Sequence, residues 1–179
     1  MRKIVSGLFI SLDGVVESPD KWHFPYFDDD MGAAVGEQAA DDDTVLLGRQ
    51  TYQEFAAFWP HQGSDVPFSD HLNNIPKLVA STTLTSVEWK NSTLIRGNVA
   101  AELNRLKQLP GKNIGIIGSG TLVRSLLLDD VLDELRLLVH PILVGQGKRL
   151  YDPPIEKKLK LVHSKTFSSG VLNLIYQRA

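Results

Sequence analysis

Ile114-Gly115-Ile116-Ile117-Gly118-Ser119-Gly120-Thr121-Leu122 decides how this 179-residue chain is read. The first four residues are an apolar, largely β-branched run bounded by turn signals, the pattern of a buried strand. Gly118-Ser119-Gly120 turns the chain, and Leu122, Val123, Leu126 and Leu127 then recur at helical spacing. Backbone N–H groups and the helix dipole at such a strand-turn-helix junction form an anion site. Glycine lets the main chain approach a phosphate closely, and Ser119 and Thr121 offer hydroxyl donors. A tight turn with Ser119 or Thr121 as N-cap suits the same residues. The segment is not the dinucleotide-binding fingerprint, because the third glycine and the later acidic residue are missing.

The same alternation of short apolar runs and amphipathic stretches fills the rest of the chain, as in an α/β layer fold. Lys3 to Ile10 reads as an interior strand covered on both faces, not as a leader peptide, and Asp13-Gly14 ends it in a turn. Glu17 to Phe27, with two prolines, Trp22 and His23, reads as an irregular, functionally placed connection. Asp28 to Ala40 is expected to be a helix with three aspartates in its first turn. Thr44 to Leu47 is a strand, and Arg49 to Trp59 a helix with Tyr52, Phe55, Ala56 and Trp59 on one stripe. His61 to Pro76 reads as loop with at most a short helical turn. Lys77 to Ala80 and Thr93 to Ile95 are strands, and Asn98 caps a helix reaching about Leu109. Glu134 to Val144, Leu159 to Phe167 and Val171 to Gln177 are strands, the last two joined by the Ser168-Ser169-Gly170 hairpin. One domain spanning residues 1–179 follows, with eight strands in a mixed, mostly parallel sheet, antiparallel strands at its C-terminus and about four helices on both faces.

Composition narrows the function. The net charge of −2 leaves no electrostatic footprint for nucleic acid. The absence of cysteine excludes thiolate chemistry and Cys-based metal sites, and the five histidines show no ligand spacing, so no metal is expected. His140 lies in a strand and reads as a satisfied sheet residue. No stretch approaches the ~20 apolar residues of a membrane span, and a cytoplasmic protein is expected.

Three further segments fall, like the glycine turn, just past the carboxyl end of a strand, where open α/β sheets bind ligands. Leu47-Gly48-Arg49-Gln50-Thr51-Tyr52 opens a helix, with Arg49 able to fork onto a phosphate and Thr51 in the first turn. Ala80-Ser81-Thr82-Thr83 and Arg96-Gly97 follow the next two strands. Taken alone, each also reads as an ordinary turn. Together they could line one polyphosphate ligand, and two arginines suit the 2′-phosphate of NADPH better than the bare ribose of NADH.

In this order the motifs resemble the dihydrofolate-reductase-like superfamily, above all the reductase domain of bacterial bifunctional riboflavin-biosynthesis deaminase/reductases and its stand-alone relatives. The resemblance runs end to end, through Ser11-Leu12-Asp13-Gly14, Leu46 to Tyr52, Ser81-Thr82, Gly118 to Leu122 and Pro141-Ile142-Leu143-Val144-Gly145-Gln146-Gly147. It implies NADPH held by Gly48, Arg49, Thr51, Ser81, Thr82, Arg96, Gly118, Ser119, Gly120, Thr121 and Leu122. It places the nicotinamide near Ile10 to Val16 and a small-molecule substrate among Trp22, Phe27, Asp28 and Phe55. Asp13 would face the nicotinamide and could assist proton delivery. Ile117 stands where riboflavin-pathway reductases carry a glutamate that touches the sugar-phosphate substrate, which argues against that reaction. The expected function is an NADPH-dependent reductase of a pterin-like, pyrimidine-like or other conjugated molecule, working as a homodimer. The alternative is a non-catalytic nucleotide- or flavin-binding protein on the same scaffold.

Overall fold

Apolar residues at nearly every position make the first run a strand, β1 (Ile4–Ser11), buried on both faces. The computed structural model describes residues 1–179, and seven more strands join β1 in one sheet. They are β2 (Asp42–Gly48), β3 (Lys77–Ala80), β4 (Ser92–Ile95), β5 (Asn113–Gly118), β6 (Glu134–His140), β7 (Leu159–Thr166) and β8 (Leu172–Arg178). The helices are α1 (Asp29–Asp41), α2 (Arg49–Phe58), α3 (Ser69–Asn74), α4 (Val99–Lys107) and α5 (Gly120–Leu128).

The strand order is β4-β3-β2-β5-β1-β6-β8-β7. Every pair from β4 to β6 is parallel, and β8 alone runs against its neighbours, between β6 and β7. α4 and α5 cover one face: Leu103, Val123, Leu126 and Leu127 pack on Ile4, Leu8, Ile10, Ile114 and Ile116 in a cluster of 16 buried residues. Burying one such side chain contributes roughly 1.5–3 kcal/mol, so this cluster dominates the fold's stability. The opposite face has two smaller clusters. One joins Tyr52 of α2 and Leu72 of α3 to Leu47, Val79 and Trp89; the other joins Met31 of α1 to Phe167 and Val171.

The sheet, its eight strands and its mixed character agree with the sequence reading; three local features differ. Residues 61–76, read as loop, contain a fifth helix, α3. Its N-cap is Phe68 in a left-handed conformation (φ 66°), which carries no capping signal. Its C-terminus is closed by Lys77, whose ammonium donates to the carbonyls of Leu72 (2.7 Å) and Ile75 (2.8 Å). Burial pushes the Lys77 pKa down to about 8. The strand expected to reach Val144 ends at His140, because residues 142–149 turn back to bond the loop after β1. The Arg49 helix gives way at Trp59 to a 3-10 turn containing Pro60.

Candidate functional site

Three helices start at the carboxyl edge of the parallel strands: α2 after β2, α4 after β4 and α5 after β5. Asn98 caps α4 by accepting from the Ala101 N–H (2.9 Å), and Ser119 caps α5 by accepting from the Leu122 N–H (3.3 Å). α2 follows Gly48 and has no side-chain cap, so its first-turn N–H groups remain free for an anion.

Arg49, exposed at the head of α2, reaches to 3.5 Å from the Thr83 hydroxyl across a cleft of about 370 Å³. Ser81, Thr82, Thr83 and Gly97 line the other walls. The Ser81 hydroxyl accepts from the Thr83 (3.2 Å) and Leu84 (3.0 Å) N–H groups and so shapes the turn after β3. At Gly97 (φ 89°) a Cβ would meet nothing within 4 Å, so that wall is open backbone. Arg96, expected in this group, instead donates from its guanidinium to the Thr85 carbonyl and does not line the cleft.

The glycine turn lies beside this cleft. A Cβ on Gly48 would come within 2.7 Å of the Ser119 hydroxyl, and one on Gly118 within 2.7 Å of the Thr51 hydroxyl. Only glycine permits that approach, and it brings Thr51 and Ser119 to one seam between the ends of β2 and β5. The Gly118–Ser119 peptide is cis. Gly120 packs against Val16, where a Cβ would come within 2.6 Å of the Val16 methyl, so the loop after β1 closes the seam. Thr121 is exposed, and Leu122 packs partly against the α5 side of the core. The structure thus joins Gly48, Arg49, Thr51, Ser81, Thr82, Gly118, Ser119 and Gly120 along one edge.

The two expected acids are engaged elsewhere. The Asp13 carboxylate accepts from the Ser11 hydroxyl (2.6 Å) and the N–H groups of Val144 (3.0 Å) and Gly145 (2.8 Å), with Arg149 at 3.5 Å. The Ser11 bond and then the two N–H groups hold it far below the ordinary carboxylate range. It ties the 144–149 segment to the loop after β1, and a carboxylate so firmly ionised is a poor proton donor. Asp28 caps α1 by accepting from the Met31 N–H (2.9 Å), and its other oxygen accepts from the Ser168 hydroxyl and the Ser169 N–H (both 3.0 Å). These bonds, the Met31 bond foremost, lower its pKa to about 2. Asp28 therefore pins α1 to the β7–β8 hairpin rather than presenting a free carboxylate to a substrate.

The three aromatic candidates separate. Phe55 packs with the Tyr52 cluster, Phe27 is 47% exposed, and Trp22 is buried against His140, ring centroids 5.2 Å apart. Sequence reasoning placed His23 in the irregular loop and read His140 as a satisfied sheet residue, giving neither a role in the site. Both are buried, and each has a ring nitrogen without a partner, so His140 is only half satisfied. A lone His in an apolar run gives no sign of this, since the shortfall arises from which rings surround it.

A mixed eight-stranded sheet of this order, with a polar cleft at the carboxyl ends of its parallel strands and a glycine seam beside it, is a dihydrofolate-reductase-like α/β domain. The chain belongs to the RibD C-terminal domain family, whose model matches residues 2–173. It is 31% identical to the uncharacterized Bacillus subtilis protein YyaP over 98% of this chain and 94% of that one. It is 32% identical to YwjB of the same organism over 99% of both. Among solved structures, a putative riboflavin biosynthesis protein from a Shewanella species superposes with a TM-score of 0.78 at 21% identity, covering 100% of this chain and 99% of that one. A pyrimidine reductase-like protein from Corynebacterium diphtheriae gives 0.68 at 13% identity over 98% and 91%. The Thermotoga maritima diaminohydroxyphosphoribosylaminopyrimidine deaminase/5-amino-6-(5-phosphoribosylamino)uracil reductase gives 0.69 at 16% identity over 99% and 57%.

Proposed function

We propose that the protein is a reductase that takes its hydride from NADPH and delivers it to a small conjugated ring. The observation that carries this reading is the continuous edge from the Arg49 cleft through the uncapped head of α2 to the Gly118–Gly120 seam. The residues present fit a nicotinamide dinucleotide: guanidinium and hydroxyls in the cleft, free N–H groups at α2, and the Thr51 and Ser119 hydroxyls that the glycine seam brings together. Bound there, the cofactor would supply hydride transfer. Arg49, Ser81 and Thr82 would hold the 2′-phosphate end, and Gly48, Thr51 and Gly118 to Leu122 the pyrophosphate. Val16 and the rest of the loop after β1 would keep water from the reacting end. The names of the Corynebacterium and Thermotoga relatives point to a pyrimidine-type acceptor. Ile117, an apolar side chain before the seam, favours an acceptor without a sugar-phosphate arm.

Calorimetric titration tests the reading. NADPH is expected to bind, and Arg49→Ala to weaken it at least tenfold, about 1.4 kcal/mol, with NADH affected less. Failure of wild-type protein to bind either nucleotide contradicts the proposal. Tight binding with no hydride acceptor found would favour the non-catalytic alternative.

A further inference from the structure

At the amino edge of the sheet a second cavity, of about 450 Å³, opens between the start of β1, the end of β8 and the end of α4. Arg2, Lys3, Lys107, Asp133, Gln177 and Arg178 line it, and it shares no lining residue with the Arg49 cleft. The eight residues of β1 separate it from the loop that closes the glycine seam, about 25 Å at the rise of a strand. Met1 is the one apolar residue in the lining, so the walls select for charge rather than apolar surface.

Cations outnumber acids around this cavity. Asp133 accepts from Lys107 (2.7 Å) and Arg178 (3.2 Å), and Glu134 accepts from Lys3 (2.8 Å) and Arg136 (2.9 Å), so each carboxylate serves two cations. Arg2 pairs with Asp43. The lining and its direct partners therefore set Arg2, Lys3, Lys107, Arg136 and Arg178 against Asp43, Asp133 and Glu134, an excess of two positive charges. Burial raises the Glu134 pKa, but the Lys3 and Arg136 bonds outweigh it and hold the carboxyl below its ordinary value. Depth separates the signs: the Glu134 and Asp133 side chains are 7% and 17% exposed, those of Lys3 and Arg178 53% and 46%. The acids thus form the floor, and two cationic heads stand at the mouth. Ion pairs near the surface contribute little, so these heads turn to a ligand at small cost. When they do, Asp133 keeps Lys107 and Glu134 keeps Arg136, and no buried acid is left unpaired.

We infer that this cavity is a second ligand site, for a phosphate dianion, free or esterified. Its two charges match the excess around the cavity. Lys107 and Arg178 converge on one carboxylate, and Lys3 on that of the next residue, so the donors crowd around one point. Both negative charges must then sit on one centre, which a phosphate offers and a dicarboxylate does not. The Arg178 guanidinium supplies a fork for two oxygens, Lys3 a mobile point charge and buried Lys107 a fixed one. The site is independent of the reductase reading, since it lies at the other edge of the sheet.

The test is residue-resolved ¹⁵N NMR of the full chain, backbone and side-chain, titrated with ribose 5-phosphate, inorganic phosphate and ribose at an ionic strength held constant with sodium chloride. Saturable shifts are expected at Lys3, Gln177 and Arg178 with the phosphate-bearing probes and none there with ribose. Tighter binding of ribose 5-phosphate assigns an esterified ligand; equal or tighter binding of inorganic phosphate assigns the free ion. The double variant Lys3→Gln/Arg178→Gln changes only half-exposed side chains and leaves both acids paired. It is expected to lower the affinity at least tenfold, and Arg49→Ala to leave it unchanged. The wild-type spectra read the contact without any substitution, so the test stands if the double variant does not fold. Shifts that rise without saturating, shifts confined to Arg49 and Ser81 to Thr83, equal shifts with ribose, or unchanged affinity in the double variant would each overturn the inference.

Discussion

Asp13 shows how one side chain's surroundings choose between two chemistries that its sequence context leaves open. An Asp-Gly turn past a strand suits either a proton donor or a tether. Here, bonds from the Ser11 hydroxyl and from the N–H groups of Val144 and Gly145 make it a tether. Those partners lie up to 132 residues away, so no local reading could supply them. Asp13→Asn removes an acceptor from the 144–149 segment and is expected to lower the thermal midpoint by a few degrees. It should leave any reductase activity with an unchanged pH profile between pH 5 and 8. A pH profile displaced in the Asn variant would restore Asp13 as an acid.

Among the elements, the Pro19–Phe27 segment and the end of β6 each bury an imidazole. Burial lowers the pKa of His23 and His140, and of His71 on α3, below 6.5. A group whose folded pKa lies below its unfolded value binds fewer protons when folded, so stability falls as pH drops through and below about 6.5. Asp28 is shifted in the same direction, and its contribution is lost only as pH falls from 3.8 towards about 2. Asp42 works against the imidazoles over the same range, since burial raises its pKa to about 7 and its contribution is lost as pH rises from 3.8 towards 7. Melting curves of Asp42→Asn are therefore expected to show a lower midpoint at pH 5 than at pH 7, with a smaller difference when His140→Phe is added. Equal midpoints at the two pH values would show that the imidazoles are not desolvated. Elements with strong periodicity were legible in the sequence: the β5–α5 junction, the Tyr52–Phe55 stripe and the Asn98 cap all stand where their residues indicate. α3 was not, because its cap is Phe68 and its closure depends on Lys77 reaching back from β3. The end of β6 was missed because an apolar run continues past His140 while its hydrogen bonds do not.

Over the whole molecule, the carboxyl edge of the sheet collects the cleft and the seam in strand order. The opposite flank ends in β7, whose Leu161 and Val162 are 48% and 44% exposed. An apolar edge strand invites pairing or cover, and a homodimer of twice the 19.8 kDa chain mass is the expected species by light scattering. A monomer mass at micromolar concentration would contradict it. No helix is long and apolar enough to cross a membrane. The candidate edge was readable as a set of strand-end motifs, whereas the turning of Arg96 towards Thr85 and the engagement of Asp13 and Asp28 required the fold.

Backbone amide NMR during an NADPH titration tests the cofactor assignment most directly. The expected result is a saturable set of shifts at Arg49 to Thr51, Ser81 to Thr83 and Gly118 to Leu122, with β7 and β8 undisturbed. Absence of shifts at those residues, or saturable shifts confined to another face of the sheet, would contradict it.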